Sequence, residues 1–168
     1  VVRKCDGVEH MWQADKSVWG YHAPILFPYA GKVKDGIIEA RGQHFEKLPQ
    51  HGFARIGEHT PVACTEKSII LELCDSEATM AMWPYAFRLL STYTLVGDTV
   101  YHKLTVENRD DEAFPFGIGY HPGFAIPFDD QHTYADYELR FDTPQSPLCL
   151  NNLPTGLFQG NTYYLGYN

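Results

Sequence analysis

Two runs rich in β-branched and aromatic residues, Tyr85 to Val96 and Thr99 to Glu107, are separated only by Gly97-Asp98. Alternating runs joined by a two-residue Gly-containing turn specify an antiparallel hairpin, because few other backbone paths reverse so tightly. Asn108-Arg109-Asp110-Asp111 then closes the second run. Ser68 to Cys74 (SIILELC) has the same strand texture, and Tyr134 to Phe141 is a further strand candidate. Helical signals are few. Asp75 to Met82 fits one short helix, with Ser76 as its N-cap and Glu77 in the first turn. No other segment sustains a 3.6-residue apolar period. The expected class is therefore all-β, an antiparallel sandwich or barrel.

The 168 residues suffice for one core, and no repeat or Pro/Gly/Ser linker divides them, so the chain reads as one domain or part of one. Eleven Tyr and ten Phe suit a β-rich protein and a sugar-binding surface alike, and composition does not choose between the two. The net charge of −8, with Lys and Arg scattered, argues against a nucleic-acid partner. No apolar run approaches the roughly 18 to 20 residues of a membrane helix, and the first residues carry no secretory pattern. Cys5, Cys64, Cys74 and Cys149 form no CxxC pair, so reduced thiols and a cytoplasmic setting are expected. The opening Val1 and the closing Tyr-Tyr-Leu-Gly-Tyr-Asn read as cuts through a longer protein.

Three stretches do not read as ordinary strands: Pro24 to Lys32, Leu48 to Arg55 and Phe116 to Phe124. Each joins apolar residues to Gly or Pro and to a polar side chain, the texture of a rigid presenting turn. His121 lies between Gly119-Tyr120 and Pro122-Gly123. The following proline drives it into extended backbone, and an imidazole held there is suited to proton transfer near neutral pH. His51, between Pro49-Gln50 and Gly52-Phe53, has the same framing. Each is equally readable as a structural histidine in a tight loop. Arg55, four residues beyond His51, offers a rigid fork for a hydroxyl or carboxylate, or a surface ion pair. His10, His22, His44, His59, His102 and His132 lack such framing, and His102, within a strand candidate, is expected to face solvent or a neighbour. No metal-ligand spacing, phosphate loop or GxSxG nucleophile is found, which favours acid/base over covalent chemistry.

Taken in order, these segments resemble the galactose-mutarotase-like superfamily, and within it the bacterial aldose 1-epimerase branch that includes a lactose-operon protein. The resemblance rests on Asp6-Gly7-Val8-Glu9, Trp12-Gln13, Trp19, Pro24-Ile25-Leu26-Phe27-Pro28 and Gly31-Lys32. It continues through His51-Gly52-Phe53-Ala54-Arg55, Trp83-Pro84-Tyr85 with Phe87, Asn108, and Gly119-Tyr120-His121-Pro122-Gly123-Phe124. It implies a β-supersandwich of antiparallel sheets, here an incomplete portion: residues 1 to 168 as the N-terminal and central part of the domain. It also implies a monosaccharide of the glucose or galactose type as partner, no cofactor or metal, and interconversion of α and β anomers. A homodimer is among the assemblies it allows.

By position, the resemblance assigns His121 to protonation of the ring oxygen and His51 to a hydrogen bond near that oxygen. Gln50 and Arg55 match accompanying binding residues. Lys32 stands where relatives usually carry arginine, keeping the charge and losing the fork. The family's base is a glutamate near the C-terminus, beyond the matched segment. Glu107 and Glu138 do not match it. Two alternatives remain at this point: a non-catalytic carbohydrate-binding or sugar-sensing protein on the same fold, and a hexose-6-phosphate epimerase. The latter is disfavoured, since Tyr21 and His22 occupy the stretch where such relatives carry an arginine.

Overall fold

The computed structural model describes residues 1–140, 142 and 148–164. Among the described residues ten strands run in order: β1 (Ile25–Leu26), β2 (Ile38–Ala40), β3 (Gln43–Phe45), β4 (Thr60–Cys64), β5 (Ser68–Cys74), β6 (Phe87–Val96), β7 (Thr99–Asn108), β8 (Gly119–Tyr120), β9 (Leu148–Asn152) and β10 (Phe158–Tyr164). The α-helix among the described residues is one turn, α1 (Glu77–Met80). The all-β expectation holds. Contacts divide the chain into two compact units, one of residues Leu26–Gly119 and one of Val1–Ile25 with Tyr120–Asn168.

The central unit is built on the sheet β4-β5-β6-β7, antiparallel throughout. The expected hairpin is β6–β7, with Val96 opposite Thr99. Gly97 takes φ +61° while Asp98 stays at negative φ, the arrangement of a II′ turn, whose twist matches the strands it joins. β5 coincides with the SIILELC run. Helix α1 starts where the Ser76 cap dictates: its hydroxyl accepts from the Thr79 N–H at 3.3 Å, and Thr79 Oγ1 accepts from the Ser76 N–H at 2.8 Å.

Period-two alternation turns one face of β6 inward, and Phe87, Leu89 and Ser91 are fully buried. Phe27, Phe53 and Trp83 cover that face. Phe27 and Phe53 lie 5.1 and 5.6 Å from Phe87, and Trp83 lies 5.6 Å from Phe27. Such aromatic pairs add about 0.5–1.5 kcal/mol each beyond their burial. The buried Ser91 hydroxyl meets His102 Nε2 at 2.8 Å, and the His102 ring stacks on Tyr93 at 4.1 Å. His102 therefore faces a neighbour, and burial pushes its imidazole below the usual range. On the other face Arg88 pairs with Glu72 and Glu107.

The end of β7 is closed by Asp110. Its carboxylate accepts the Ala86 N–H at 3.0 Å and pairs with Arg41, whose guanidinium lies 4.9 Å above the Tyr85 ring. The Ala86 N–H bond, ahead of the Arg41 charge, holds the Asp110 carboxyl below the usual range. Asn108, the last residue of β7, donates from Nδ2 to the Glu112 carbonyl at 2.9 Å.

In the second unit β9 and β10 pair antiparallel, and single bridges join Val2 to Glu9 and Met11 to Phe124. The strand expected over Tyr134 to Phe141 is not formed. Tyr134–Asp136 is a 3₁₀ turn, Tyr137 to Arg140 are irregular, and Phe141 lies outside the described residues. The cause is local. Asp136 accepts from the N–H and hydroxyl of Thr133 at 2.7 and 2.9 Å, while the Tyr137 hydroxyl accepts the Phe128 N–H at 2.7 Å. Side chains that satisfy nearby groups this way compete with a strand ladder. Among the described residues no helix is long and apolar enough to cross a membrane.

Candidate functional site

In the central unit the Pro24 to Lys32 stretch, from Leu26 on, meets the loop that carries His51. Residues 31 and 51 exchange two hydrogen bonds. The His51 N–H donates to the Gly31 carbonyl at 2.7 Å, and the Gly31 N–H donates to His51 Nδ1 at 2.9 Å. The Tyr29 hydroxyl adds a third tie, to the Pro49 carbonyl at 2.6 Å. Burial, opposed by the Arg55 charge, pushes the Tyr29 phenol up to about 12, so it remains a donor. On its other side His51 is anchored to Phe27, whose N–H donates to the His51 carbonyl at 3.2 Å.

This backbone path needs left-handed geometry at two consecutive residues, His51 (φ +66°) and Gly52 (φ +72°). A Cβ on Gly52 would lie 2.0 Å from the Phe27 carbonyl oxygen. Only glycine permits that approach. The result is a half-buried histidine with Nδ1 turned to backbone. Its Nε2 lies 3.4 Å from the Gln50 side-chain nitrogen. Gln50 and Lys32 are exposed, and Arg55 is half-buried. The structure thus gathers Lys32, Gln50, His51 and Arg55 onto two mutually bonded loops of one unit.

His121 belongs to the second unit. Its N–H donates to the Pro24 carbonyl at 3.2 Å, and its exposed ring lies 4.9 Å from that of Trp19 at 40°. Trp19 is held by a compact knot. The Trp12 Nε1–H donates to the Trp19 carbonyl at 2.7 Å, and the Trp12 N–H to the Gly123 carbonyl at 3.0 Å. His22 Nδ1–H donates to the Trp12 carbonyl at 2.7 Å, and the Gly123 N–H to the His22 carbonyl at 2.9 Å. A Cβ on Gly123 would meet Trp12 Cβ at 2.8 Å and Trp19 Cζ3 at 2.9 Å. The glycine after His121-Pro122 is therefore what lets Trp12 and Trp19 pack this closely against the backbone, with Trp19 against the imidazole.

Two contributors escape a reading of single motifs: the indole of Trp19 and the backbone amide of Gly31. Both pairings depend on residues far apart in sequence, and a backbone N–H leaves no signature in residue type. A cleft of about 630 Å³ lined by Arg41, Ala86, Arg109, Asp110, Asp111 and Glu112 contains none of the expected site residues. Its charges serve one another, through Arg41–Asp110 and Arg41–Glu112 at 3.7 Å. Glu107 is likewise engaged, with Arg88 and with Arg109 at 3.5 Å. Among the described residues no group of three or more His, Cys, Asp or Glu is placed to hold a metal ion.

Comparison with known proteins adds an independent line. Residues 2–164 match the family described as aldose 1-epimerase. The plasmid-borne protein LacX of Lactococcus lactis subsp. lactis is 33% identical over 162 residues, which are 93% of this chain and 54% of LacX. A galactose mutarotase related enzyme from Lactobacillus acidophilus superposes with a TM-score of 0.86 at 31% identity, over 95% of this chain and 53% of its own. A galactose mutarotase-like protein from Lactobacillus casei gives 0.83 at 29%, over 96% and 55%. The chain thus spans about half the length of these relatives.

Proposed function

This chain belongs to the aldose 1-epimerase family, and we propose that it supplies the acid side of a monosaccharide mutarotase. In this reading residues 1–168 form most of the first half of a galactose-mutarotase-like domain, and His51 and His121 act on one aldose of the glucose or galactose type. The observation that carries it is the presentation of the two imidazoles. Each sits on backbone fixed by several hydrogen bonds and close-packed glycine, and neither is sunk in an aliphatic core. A histidine kept only for packing has no need of that framing.

The chemistry assigns the roles. A base removes the proton of the anomeric hydroxyl as an acid protonates the ring oxygen, and the C1–ring-oxygen bond breaks to leave the open-chain aldehyde. Rotation about C1–C2 presents the other carbonyl face, and closure returns both protons. His121 is the acid. His51 donates a hydrogen bond from Nε2 toward the ring oxygen. Gln50, Arg55 and Lys32 bind hydroxyls, with Arg55 able to donate through two nitrogens at once. The matching base is the family's C-terminal glutamate, which no residue of this chain matches.

Polarimetry on freshly dissolved α-D-galactose or α-D-glucose tests the reading in the natural full-length polypeptide. The approach to anomeric equilibrium accelerates in proportion to protein concentration. A folded protein that leaves the spontaneous rate unchanged for both sugars contradicts it.

A further inference from the structure

We propose that Gly31 is a positioning residue whose backbone N–H fixes the tautomer of His51, making that ring a hydrogen-bond donor at Nε2 and withdrawing it from the role of base. The catalytic half of this inference rests on the mutarotase reading above; the tautomer itself does not.

An amide N–H only donates, so the atom it meets must carry a lone pair. The Gly31 N–H meets His51 Nδ1 at 2.9 Å. A ring nitrogen bearing hydrogen has no such lone pair, so the neutral ring carries its proton on Nε2. The contact is over-determined. The reciprocal bond from the His51 N–H to the Gly31 carbonyl, at 2.7 Å, sets the two backbones in register. The bond between Tyr29 and Pro49 and the anchor of His51 to Phe27 prevent the loops from sliding. The other tautomer would set an N–H against the Gly31 N–H, and a flipped ring would offer it only the Cδ2–H. The Gln50 atom placed 3.4 Å from Nε2 is its amide nitrogen, so a protonated Nε2 calls for the amide turned over to bring its oxygen to the ring, and a sugar oxygen would compete for the same proton.

The mechanistic consequence is sharp. Anomer exchange needs one group that accepts a proton and one that gives it. His51 has its Nδ1 lone pair occupied by Gly31 and its Nε2 occupied by hydrogen. It therefore has no open acceptor site and cannot take the anomeric proton. Its contribution is to hold and polarise the ring oxygen while His121 supplies the proton.

NMR of the ¹⁵N-labelled protein tests this without any substrate. Long-range ¹H–¹⁵N correlation is expected to show His51 with bare Nδ1 and protonated Nε2, and a scalar coupling should cross the hydrogen bond from the Gly31 amide nitrogen to Nδ1. Gly31→Asn, whose side chain tolerates the φ of +87° at this position, should retain both signals; Gly31→Val should lose the coupling and show mixed tautomers. A protonated Nδ1 in the wild type, an absent coupling, or an unchanged tautomer in Gly31→Val overturns the proposal. Titration with galactose and glucose is a separate arm. A correct tautomer with no sugar response at Nε2 upholds the role of Gly31 and removes the sugar reading instead.

Discussion

Under the proposed mutarotase reading, replacing His121 by alanine in the full-length polypeptide is expected to lower catalysed mutarotation by about 10²–10⁴-fold, the usual worth of one positioned proton transfer, while sugar affinity changes little. The separation follows from what the ring does. In that reading its proton would reach the ring oxygen only as the C1–oxygen bond breaks, so the interaction would belong to the transition state and its loss would fall on kcat. The side chain is exposed, and its backbone bond to Pro24 does not involve the ring. The fold should therefore survive, with a stability change within about 0.5 kcal/mol plus the stacking lost from Trp19. His121→Gln sharpens the comparison, since it can hydrogen-bond to the sugar and cannot transfer a proton at neutral pH. Both variants should bind sugar by calorimetry and fail by polarimetry. Wild-type rates in either would remove His121 from the mechanism.

Gly52→Ala is expected to be among the most destabilising single-methyl changes in the chain, by more than about 3 kcal/mol in urea denaturation. Two costs combine. The backbone at φ +72° penalises any side chain. The added carbon would also stand 2.0 Å from the Phe27 carbonyl oxygen, 2.4 Å from its carbon and 2.7 Å from the Pro28 nitrogen, none of which is a flexible side-chain end. Relief requires moving the Phe27–Pro28 backbone. That breaks the hydrogen bond from the Phe27 N–H to His51 and the one from the Ala54 N–H to the Phe27 carbonyl, and disturbs the fully buried Phe27 ring. Gly97→Ala is the control: its φ is +61°, and its Cβ would meet nothing within 4 Å. It carries the conformational cost alone, about 1–2 kcal/mol. Equal losses in the two variants would show that the close approach at Gly52 is not a constraint on the fold.

Much of the central sheet is legible in the residues because its signals are local. Strand β5, the β6–β7 hairpin and the Ser76-capped helix each follow from alternation, a two-residue turn or a cap. Three features are not. Strand β4 contains Pro61, which speaks against a strand and is tolerated because β4 lies at an edge of the sheet. The hairpin β2–β3 turns on Arg41-Gly42, with φ of +53° and +70°, and arginine is not a residue that announces a left-handed turn. The Tyr134 to Phe141 stretch has strand composition, and its polar side chains satisfy nearby groups instead.

The site divides along the same line. Gly and Pro framing singles out His51 and His121, since such residues punctuate the backbone wherever they occur. What faces each ring is non-local: Gly31 lies twenty residues before His51, and Trp19 about a hundred before His121. No pattern within one segment encodes either contact.

The most direct test of the claim that both histidines serve one carbohydrate is a galactose titration followed at the side-chain nitrogens of His51 and His121 together. The account predicts that both respond, with a single common midpoint that matches the calorimetric affinity. Binding that moves only one of the two rings, or that moves them with different midpoints, would contradict it.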